Sequence, residues 1–187
     1  MKRWTTILIL LLAAGLLLAG CSPAAPVDPP EEPPAGNGEE PPAEPAVTEL
    51  DVPVYFGNAN ADGVVAEIRT VRYEEGATEE EILLLVLDEL LAGPQEDALF
   101  PGIPAGVRVL GVTVDDGLAT VDFSEEMELN FGGGSAGELI ILSVLANTLT
   151  ELDFVDLVMP LVEGDTLFLG HVIIEEPLTR DEDMIVS

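Results

Sequence analysis

Cys21 is the single cysteine of this 187-residue chain, and the residues before it predict lipid attachment. Lys2 and Arg3 are followed by the apolar stretch 7–18 and then by Leu-Ala-Gly-Cys at residues 18–21. A charged start, an apolar centre and small residues at the end are typical of a secretory signal peptide. The tetrapeptide also matches the cleavage and acylation sequence of bacterial lipoproteins. We therefore expect cleavage before Cys21 and a diacylglyceryl group on its sulfur, which leaves no thiol for a disulfide, a catalytic nucleophile or a metal site.

The other residue types form no recognisable catalytic or metal-binding pattern. Nucleophilic catalysis needs a base beside the nucleophile, and the only histidine, His171, has no GxSxG or cysteine partner. Residues 115–117 (Asp-Asp-Gly) lack the ligand spacing of a calcium-binding EF-hand, so a turn is favoured there. Residues 132–134 (Gly-Gly-Gly) offer free amides to an anion, but without a nearby lysine and with Glu138 close by, a plain loop is favoured. We therefore predict no catalytic residue, no metal and no cofactor.

The charge balance excludes nucleic acid as a partner. The chain has 36 acidic residues against six Lys and Arg. After Cys21 only four arginines remain, so the formal charge of the mature chain is 4 − 36 = −32. Phosphate backbones are bound by clustered Lys and Arg, whereas a strongly acidic chain repels them. The acidity is typical of a solvated surface, with a specific acidic binding face as the alternative.

Residues 21–49 are predicted to form a disordered tether between the lipid and a folded domain. Residues 22–49 contain nine prolines, seven acidic residues and almost no large apolar side chain. This composition cannot bury enough surface to offset the chain entropy, and it favours extended polyproline II conformations. We therefore divide the chain into a signal peptide (1–20), a lipidated cysteine with its tether (21–49), a folded domain (50–175) and an acidic C-terminal tail (176–187).

A β-hairpin at residues 107–123 is the clearest structural element in the sequence. Its centre is Asp116-Gly117, a dipeptide that accepts the positive φ angles of a two-residue type I′ turn. With this turn at the tip, alternate apolar side chains share one face. That face comprises Leu110, Val112, Val114, Ala119, Val121 and Phe123. The same register places Arg108 opposite Glu125 and predicts an ion pair between them.

Two capping boxes predict two helices. Residues 78–81 (Thr-Glu-Glu-Glu) and 135–138 (Ser-Ala-Gly-Glu) have the spacing at which side chains and backbone amides cap each other. The first helix should stop at Gly93-Pro94, and Pro53, which lacks an amide donor, predicts an edge position for the first strand. The order ββ-α-ββ-α-ββ predicts an α+β fold, in which two helices pack on one antiparallel or mixed sheet as a two-layer sandwich.

Few cations exist in the folded domain, so its arginines are candidates for specific contacts. Arg69 lies in a predicted strand on the same face as Glu67. We expect a structural ion pair for Arg69, and contact with a carboxylate of a partner protein is the alternative. Arg108 and Glu125 are candidates of the same two kinds.

Several stretches resemble the GerMN domain of bacterial envelope lipoproteins, which include sporulation and spore-germination proteins. The most specific are LLAGP at residues 90–94, IPAG at 103–106 and DGLATVDFS at 116–124. The resemblance extends over roughly residues 50–170. It implies an α+β fold similar to ring-building modules of secretion-like complexes, and it implies no established catalytic residue.

These features predict a non-enzymatic, lipid-anchored envelope protein that acts as a binding or assembly module, in sporulation, germination or cell-wall processes. We expect it on the extracytoplasmic face of the cell membrane, or at the outer membrane in a bacterium with two membranes. The expected partners are the membrane, through the lipid on Cys21, and a protein or cell-wall component, with self-association as a further expectation. A cell-wall polymer hydrolase, or an accessory of one, is the alternative, because chance pairs among 36 carboxylates hide any informative pair.

Overall fold

The computed structural model of the protein describes residues 46–186. The predicted signal peptide, Cys21 and most of the predicted tether lie outside the described residues. Between residues 46 and 186, no helix combines the length and the apolar character that crossing a bilayer requires.

Nine strands and three helices follow one another along the described residues. The strands are β1 (Val47–Asn58), β2 (Val64–Glu74), β3 (Leu99–Phe100), β4 (Val109–Asp115), β5 (Leu118–Phe123), β6 (Leu157–Val162), β7 (Asp165–Thr166), β8 (Phe168–Leu169) and β9 (Val172–Ile173). The helices are α1 (Glu79–Ala92), α2 (Glu126–Leu129) and α3 (Gly134–Leu149), and a 3₁₀ turn at Glu182–Met184 follows the last strand.

The strands form two main sheets in place of the single sheet that we expected. One has the order β2-β1-β3, the other has the order β4-β5-β6-β7, and β8 and β9 form a separate hairpin. The second sheet is mixed, because β6 returns through α3 and runs parallel to β5. The helices contact both sheets: α1 packs on β1, β2 and β4, and α3 packs on β1, β2 and β6. The α+β class is therefore confirmed, and burial against two sheets explains why the helices are so apolar.

The tip of the central hairpin, formed by β4 and β5, folds as predicted. Asp116 and Gly117 have φ angles of 49° and 82°, which a type I′ turn requires at both positions. The register that starts with Asp115 opposite Leu118 then continues without a shift to Val112.

The base of the hairpin differs from the prediction because of a β-bulge. The pairing shifts between Val109 and Gly111, so Val109 lies opposite Phe123 in place of Leu110. A bulge adds one residue to one strand and redirects its side chains. Leu110, which we expected in the core, therefore has 47% of its surface exposed.

The capping box of α1 is confirmed, whereas that of α3 is wrong. The Thr78 hydroxyl accepts a hydrogen bond from the Glu81 amide, and the Glu81 carboxylate accepts one from the Thr78 amide. In contrast, α3 begins at Gly134 and has no side-chain cap. Glu138, which we expected to cap it, is buried and accepts a hydrogen bond from the main-chain amide of His171.

The segment after residue 176 packs on the domain, although we expected a separate acidic tail. Leu178 forms a β-bridge with Val158 of β6, and the Val186 amide donates to the Val64 carbonyl of β2 at 2.9 Å. These contacts extend the folded domain through residue 186.

Candidate binding surface

Arg69 is buried and forms an ion pair with Glu67. Its guanidinium also donates to the Gly93 carbonyl at 2.9 Å and lies 5.3 Å from the centre of the Phe56 ring, within the range of a cation–π contact. Only 5% of the Arg69 surface is exposed. Contact with a partner's carboxylate, the alternative for this residue, is therefore incompatible with its position.

Glu67 connects β2 to the turn that follows α1. Its carboxylate accepts hydrogen bonds from the amides of Gln95 and Glu96 at distances between 2.8 and 3.1 Å. Burial alone would raise the pKa of Glu67, but the two amides and the charge of Arg69 outweigh it and hold that pKa below its ordinary value. The network fixes the LLAGP turn and leaves no polar group of Glu67 for a ligand.

Arg108 pairs with Glu126, and the predicted pair with Glu125 is wrong. The distance from Arg108 Nη2 to Glu126 Oε2 is 3.4 Å. The bulge places Arg108 opposite Ser124, whose hydroxyl accepts a hydrogen bond from the Arg108 amide at 3.0 Å. Helix α2, which follows, brings Glu126 within reach of the Arg108 guanidinium. The Glu125 amide instead donates to the Glu163 carboxylate at 3.2 Å. The guanidinium is largely exposed, so solvent screens the charges of the pair.

Arg180 joins the C-terminal segment to α3 and β1. Its guanidinium lies 2.6 Å from the Glu151 carboxylate and donates to the Tyr55 hydroxyl at 3.0 Å and to the Asn147 carbonyl at 3.3 Å. Burial alone would lower the pKa of Arg180, but hydrogen bonds with Glu182, Tyr55 and Glu151 raise it above its ordinary value. Burial and the hydrogen bond to Glu151 also raise the pKa of Tyr55. The role of Arg180 is therefore structural: it holds the C-terminal segment against α3 and β1.

His171 contacts the buried carboxylate of Glu138. Its main-chain amide and its Nδ1 atom each lie 2.9 Å from Oε1 of Glu138. The His171 side chain is 75% exposed, whereas that of Glu138 is 4% exposed. Within residues 46–186, no group of three or more His, Cys, Asp or Glu side chains is placed to hold a metal ion. The pair instead fastens the β8–β9 hairpin to α3.

Exposed apolar side chains lie on three neighbouring elements: α2, the start of α3 and the β8–β9 hairpin. The Glu128 carboxylate accepts a hydrogen bond of 2.8 Å from the Phe168 amide, and this bond joins α2 to β8. Phe168 and Ile173 are cross-strand partners, so their side chains share a face. We call this region the end surface. It comprises Leu129, Leu139, Phe168 and Ile173, which are between 46% and 70% exposed.

A cavity of about 160 Å³ opens next to α2, between two loops. Residues 101–104 form one wall and residues 130–137 contribute to the other. The walls are fixed, because a Cβ on Gly102 would lie 2.5 Å from Val144 of α3 and Asn130 donates to the opposite loop at 2.8 Å. A cavity of about 150 Å³ accepts one benzene ring, whereas small-molecule sites usually span about 300–1,000 Å³. The size therefore suits a group no larger than one side chain.

A family model described as Germane, sporulation and spore germination, matches residues 53–168. This protein belongs to the Germane family. The Germane match includes both walls of the cavity and most of the end surface, because only Ile173 of that surface lies beyond it. No match was found among curated proteins.

Two solved structures share the Germane fold. The tandem GerMN domains of the sporulation protein GerM from Bacillus subtilis are 20% identical, with a TM-score of 0.54 over 71% of this chain and 46% of that chain. The first GerMN domain of the same protein is 22% identical, with a TM-score of 0.50 over 70% of this chain and 98% of that chain. This chain thus spans less than half of the tandem structure, and the likeness at these identities is one of fold.

Acidic residues far outnumber basic ones in the folded part of the chain. Residues 46–187 carry 30 of the acidic residues and four arginines, so their formal charge is 4 − 30 = −26. Each of these arginines is paired with a carboxylate. The pairs are Arg69 with Glu67, Arg72 with Glu49, Arg108 with Glu126 and Arg180 with Glu151.

Proposed function

We propose that this protein is a non-enzymatic, lipid-anchored binding module of the bacterial cell envelope, which holds a positively charged protein partner. The end surface carries the proposal, since α2 and α3 each carry one of its exposed apolar side chains and each also adjoins or lines a cavity of one-side-chain size on an acidic domain. The family description supports a role in sporulation or spore germination. Lipid anchoring is supported by the sequence of residues 18–21.

The chemistry of the end surface favours one kind of partner. Exposed apolar clusters are typical of protein interaction sites, and binding energy concentrates where a partner's apolar side chain fills a pocket inside a polar rim. Carboxylates of α2, including Glu126 and Glu128, lie beside the apolar side chains and would form such a rim. A partner that presents Lys and Arg around a projecting apolar side chain would be attracted by this charge. Its apolar side chain would then insert into the cavity.

Site-specific photo-crosslinking in native envelopes tests the proposal. A photoreactive amino acid replaces Phe168 in the full-length lipoprotein, and in a matched control it replaces Leu110, which is equally exposed but lies on the hairpin bulge. We expect one reproducible adduct from position 168 alone, which Leu129→Ser weakens and which decreases as salt screens the charges. Identical adducts at both positions, or no adduct at position 168, would contradict the proposal.

Two further measurements separate the anchor and the activity from the binding. Cys21→Ala should move the protein from the membrane fraction to the soluble or unprocessed fraction, and retention at the processed size would contradict lipid anchoring. Incubation of the protein with purified peptidoglycan should release no soluble fragments. Release would favour the hydrolase alternative.

A further inference from the structure

The outer edge of β2 is unpaired along most of its length. β1 pairs with the other edge of β2 from end to end without a bulge. On the outer edge, the Val186 amide donates to the Val64 carbonyl at 2.9 Å. Main-chain groups alternate sides along a strand, so those of every second residue from Ala66 to Arg72 point to the same edge. Among residues 46–186 these groups have no hydrogen-bond partner.

The opposite edge of the same sheet is covered at its far end, where β3 pairs with Gly57 and Asn58 of β1. On β1, the Tyr55 amide points away from β2 and donates to the Thr148 hydroxyl of α3 at 3.0 Å. Pro53 faces the same way and has no amide to offer. Proteins commonly blunt a free edge with proline, a bulge or charged side chains. β2 contains charged side chains but neither a proline nor a bulge, so its main-chain groups remain able to pair.

Helix α1 packs on the face of the sheet at β2, and the outer edge of β2 is taken together with the cavity between the end of the strand and α1 as one groove. The Arg69 guanidinium of β2 contacts Glu89 of α1 at 3.7 Å and Gly93 at its end. At the far end of β2, a cavity of about 460 Å³ opens between the strand, the following turn and α1. Its lining combines apolar side chains with carboxylates. These are Tyr73, Leu84 and Leu85 on the apolar side, and Glu74, Glu75 and Glu81 among the carboxylates.

We propose that this groove, the β2 groove, binds an extended segment of a partner protein by strand addition, with a Lys or Arg side chain of that segment in the cavity. The added strand would pair with the free amides and carbonyls of β2. The aliphatic stem of the basic side chain would lie on the apolar lining, and its cation would meet the carboxylates. The β2 groove uses no residue of the end surface, so the two sites can be tested separately.

Two other occupants fit the groove less well. Residues 22–45 of this chain contain nine prolines, which cannot supply the amides that a strand needs, and their carboxylates would meet the acidic cavity. A second copy of the chain would bring a second domain of charge −26 and no unpaired arginine among its described residues. A basic segment of another protein meets neither obstacle.

A displayed library of random ten-residue peptides, selected on the immobilised full-length protein, provides the probe. The test compares Thr70→Pro, which removes an amide from the outer edge of β2, with Asp51→Pro, which removes one from the opposite edge of the sheet, on β1. The two variants are matched, because each also loses the same exposed Thr70–Asp51 hydrogen bond of 2.6 Å. Proline is tolerated at strand positions whose amide lies outside the ladder.

We expect selection of peptides that are rich in Lys or Arg and poor in proline. These peptides should bind the Asp51→Pro variant as they bind the wild type, and the Thr70→Pro variant about tenfold more weakly. Glu81→Gln should weaken binding of the basic peptides as well. If Thr70→Pro melts at a lower temperature than Asp51→Pro, Ala66→Pro tests the same edge.

Three results would overturn the proposal. These are an absence of enriched peptides, equal binding to the two proline variants, and enrichment of acidic peptides. Self-association that Thr70→Pro abolishes, without peptide enrichment, would identify a second copy as the occupant and would also overturn it. Photo-crosslinking from position 168 reports on the end surface alone, so failure here is distinguishable from failure of the proposed function.

Discussion

Replacing Glu67 with glutamine isolates the contribution of the buried ion pair. The substitution preserves the shape of the side chain but removes the charge that compensates Arg69, and the two residues are 9% and 5% exposed. Arg69 would then retain the Gly93 carbonyl as a hydrogen-bond acceptor and Glu89 at 3.7 Å as its nearest carboxylate. An incompletely compensated guanidinium would therefore stay buried.

Removing one partner of a buried ion pair destabilises a protein by about 3–5 kcal/mol. We expect about 3 kcal/mol for Glu67→Gln, at the low end of that range, because Glu89 still compensates part of the charge of Arg69. Domains of this size unfold with a free energy of about 5–15 kcal/mol. The variant should therefore fold, with a melting temperature lower by about 6–12 °C.

Urea unfolding at neutral pH measures the effect, and Glu49→Gln is the matched control on the neighbouring strand. The Glu49–Arg72 pair has a short distance of 2.8 Å, but its side chains are 59% and 69% exposed, so its loss should change the free energy of unfolding by less than about 1 kcal/mol. Equal losses in the two variants at pH 7 would refute this account of the buried pair.

The pH dependence supplies a second check. The pKa of Glu67 is lowered in the folded protein, so its stabilisation is present above the ordinary carboxyl pKa of about 4.3 and is lost as the pH falls through the folded value. The difference between wild type and Glu67→Gln should therefore shrink below about pH 4. A difference that stays constant down to pH 3 would contradict the assigned cause.

Three further substitutions test the packing. Gly102→Ala should lower the free energy of unfolding by about 1–3 kcal/mol, because its Cβ would lie 2.5 Å from an α3 side chain. Gly132→Ala is the control in urea unfolding. A Cβ at Gly132 would have no atom within 4 Å, so this variant should change the free energy of unfolding by less than about 0.5 kcal/mol. Arg180→Met should lower it by about 1–2 kcal/mol and speed hydrogen exchange in residues 178–186, and unchanged exchange would contradict its role. Glu138→Leu should speed exchange in the β8–β9 hairpin, because the buried acceptor of the His171 amide is lost, while exchange in β4 and β5 stays unchanged.

Features that depend on neighbouring residues were predictable from the sequence. The turn at Asp116-Gly117 and the cap at residues 78–81 are each specified within a few positions, and the structure confirms them. The bulge at Gly111 was not predicted, although a glycine inside a strand often marks one. The bulge moved Leu110 out of the core and gave Arg108 a different partner.

Features that depend on contacts between distant residues could not be predicted from the sequence. Glu138 has the spacing of a capping residue, but a partner from the β8–β9 hairpin competes for its carboxylate. The end surface exists because Glu128 brings α2 against Phe168, and neither residue belongs to a recognisable motif. The division into two sheets likewise follows from which strands the helices separate, which local patterns do not encode.

The scarcity of lysine and arginine also decides which chemical methods can detect this protein. Lys2 is the only lysine of the chain and precedes the predicted cleavage site, so amine-directed crosslinkers find no side chain in the mature protein. Carboxyl-directed or photochemical reagents are needed instead. Trypsin meets four arginines, and complete digestion leaves a peptide of 180 − 108 = 72 residues between the last two. Proteomic surveys built on short tryptic peptides will therefore underestimate its abundance. Surveys that use a protease cleaving at Asp and Glu, which are numerous in this chain, will not.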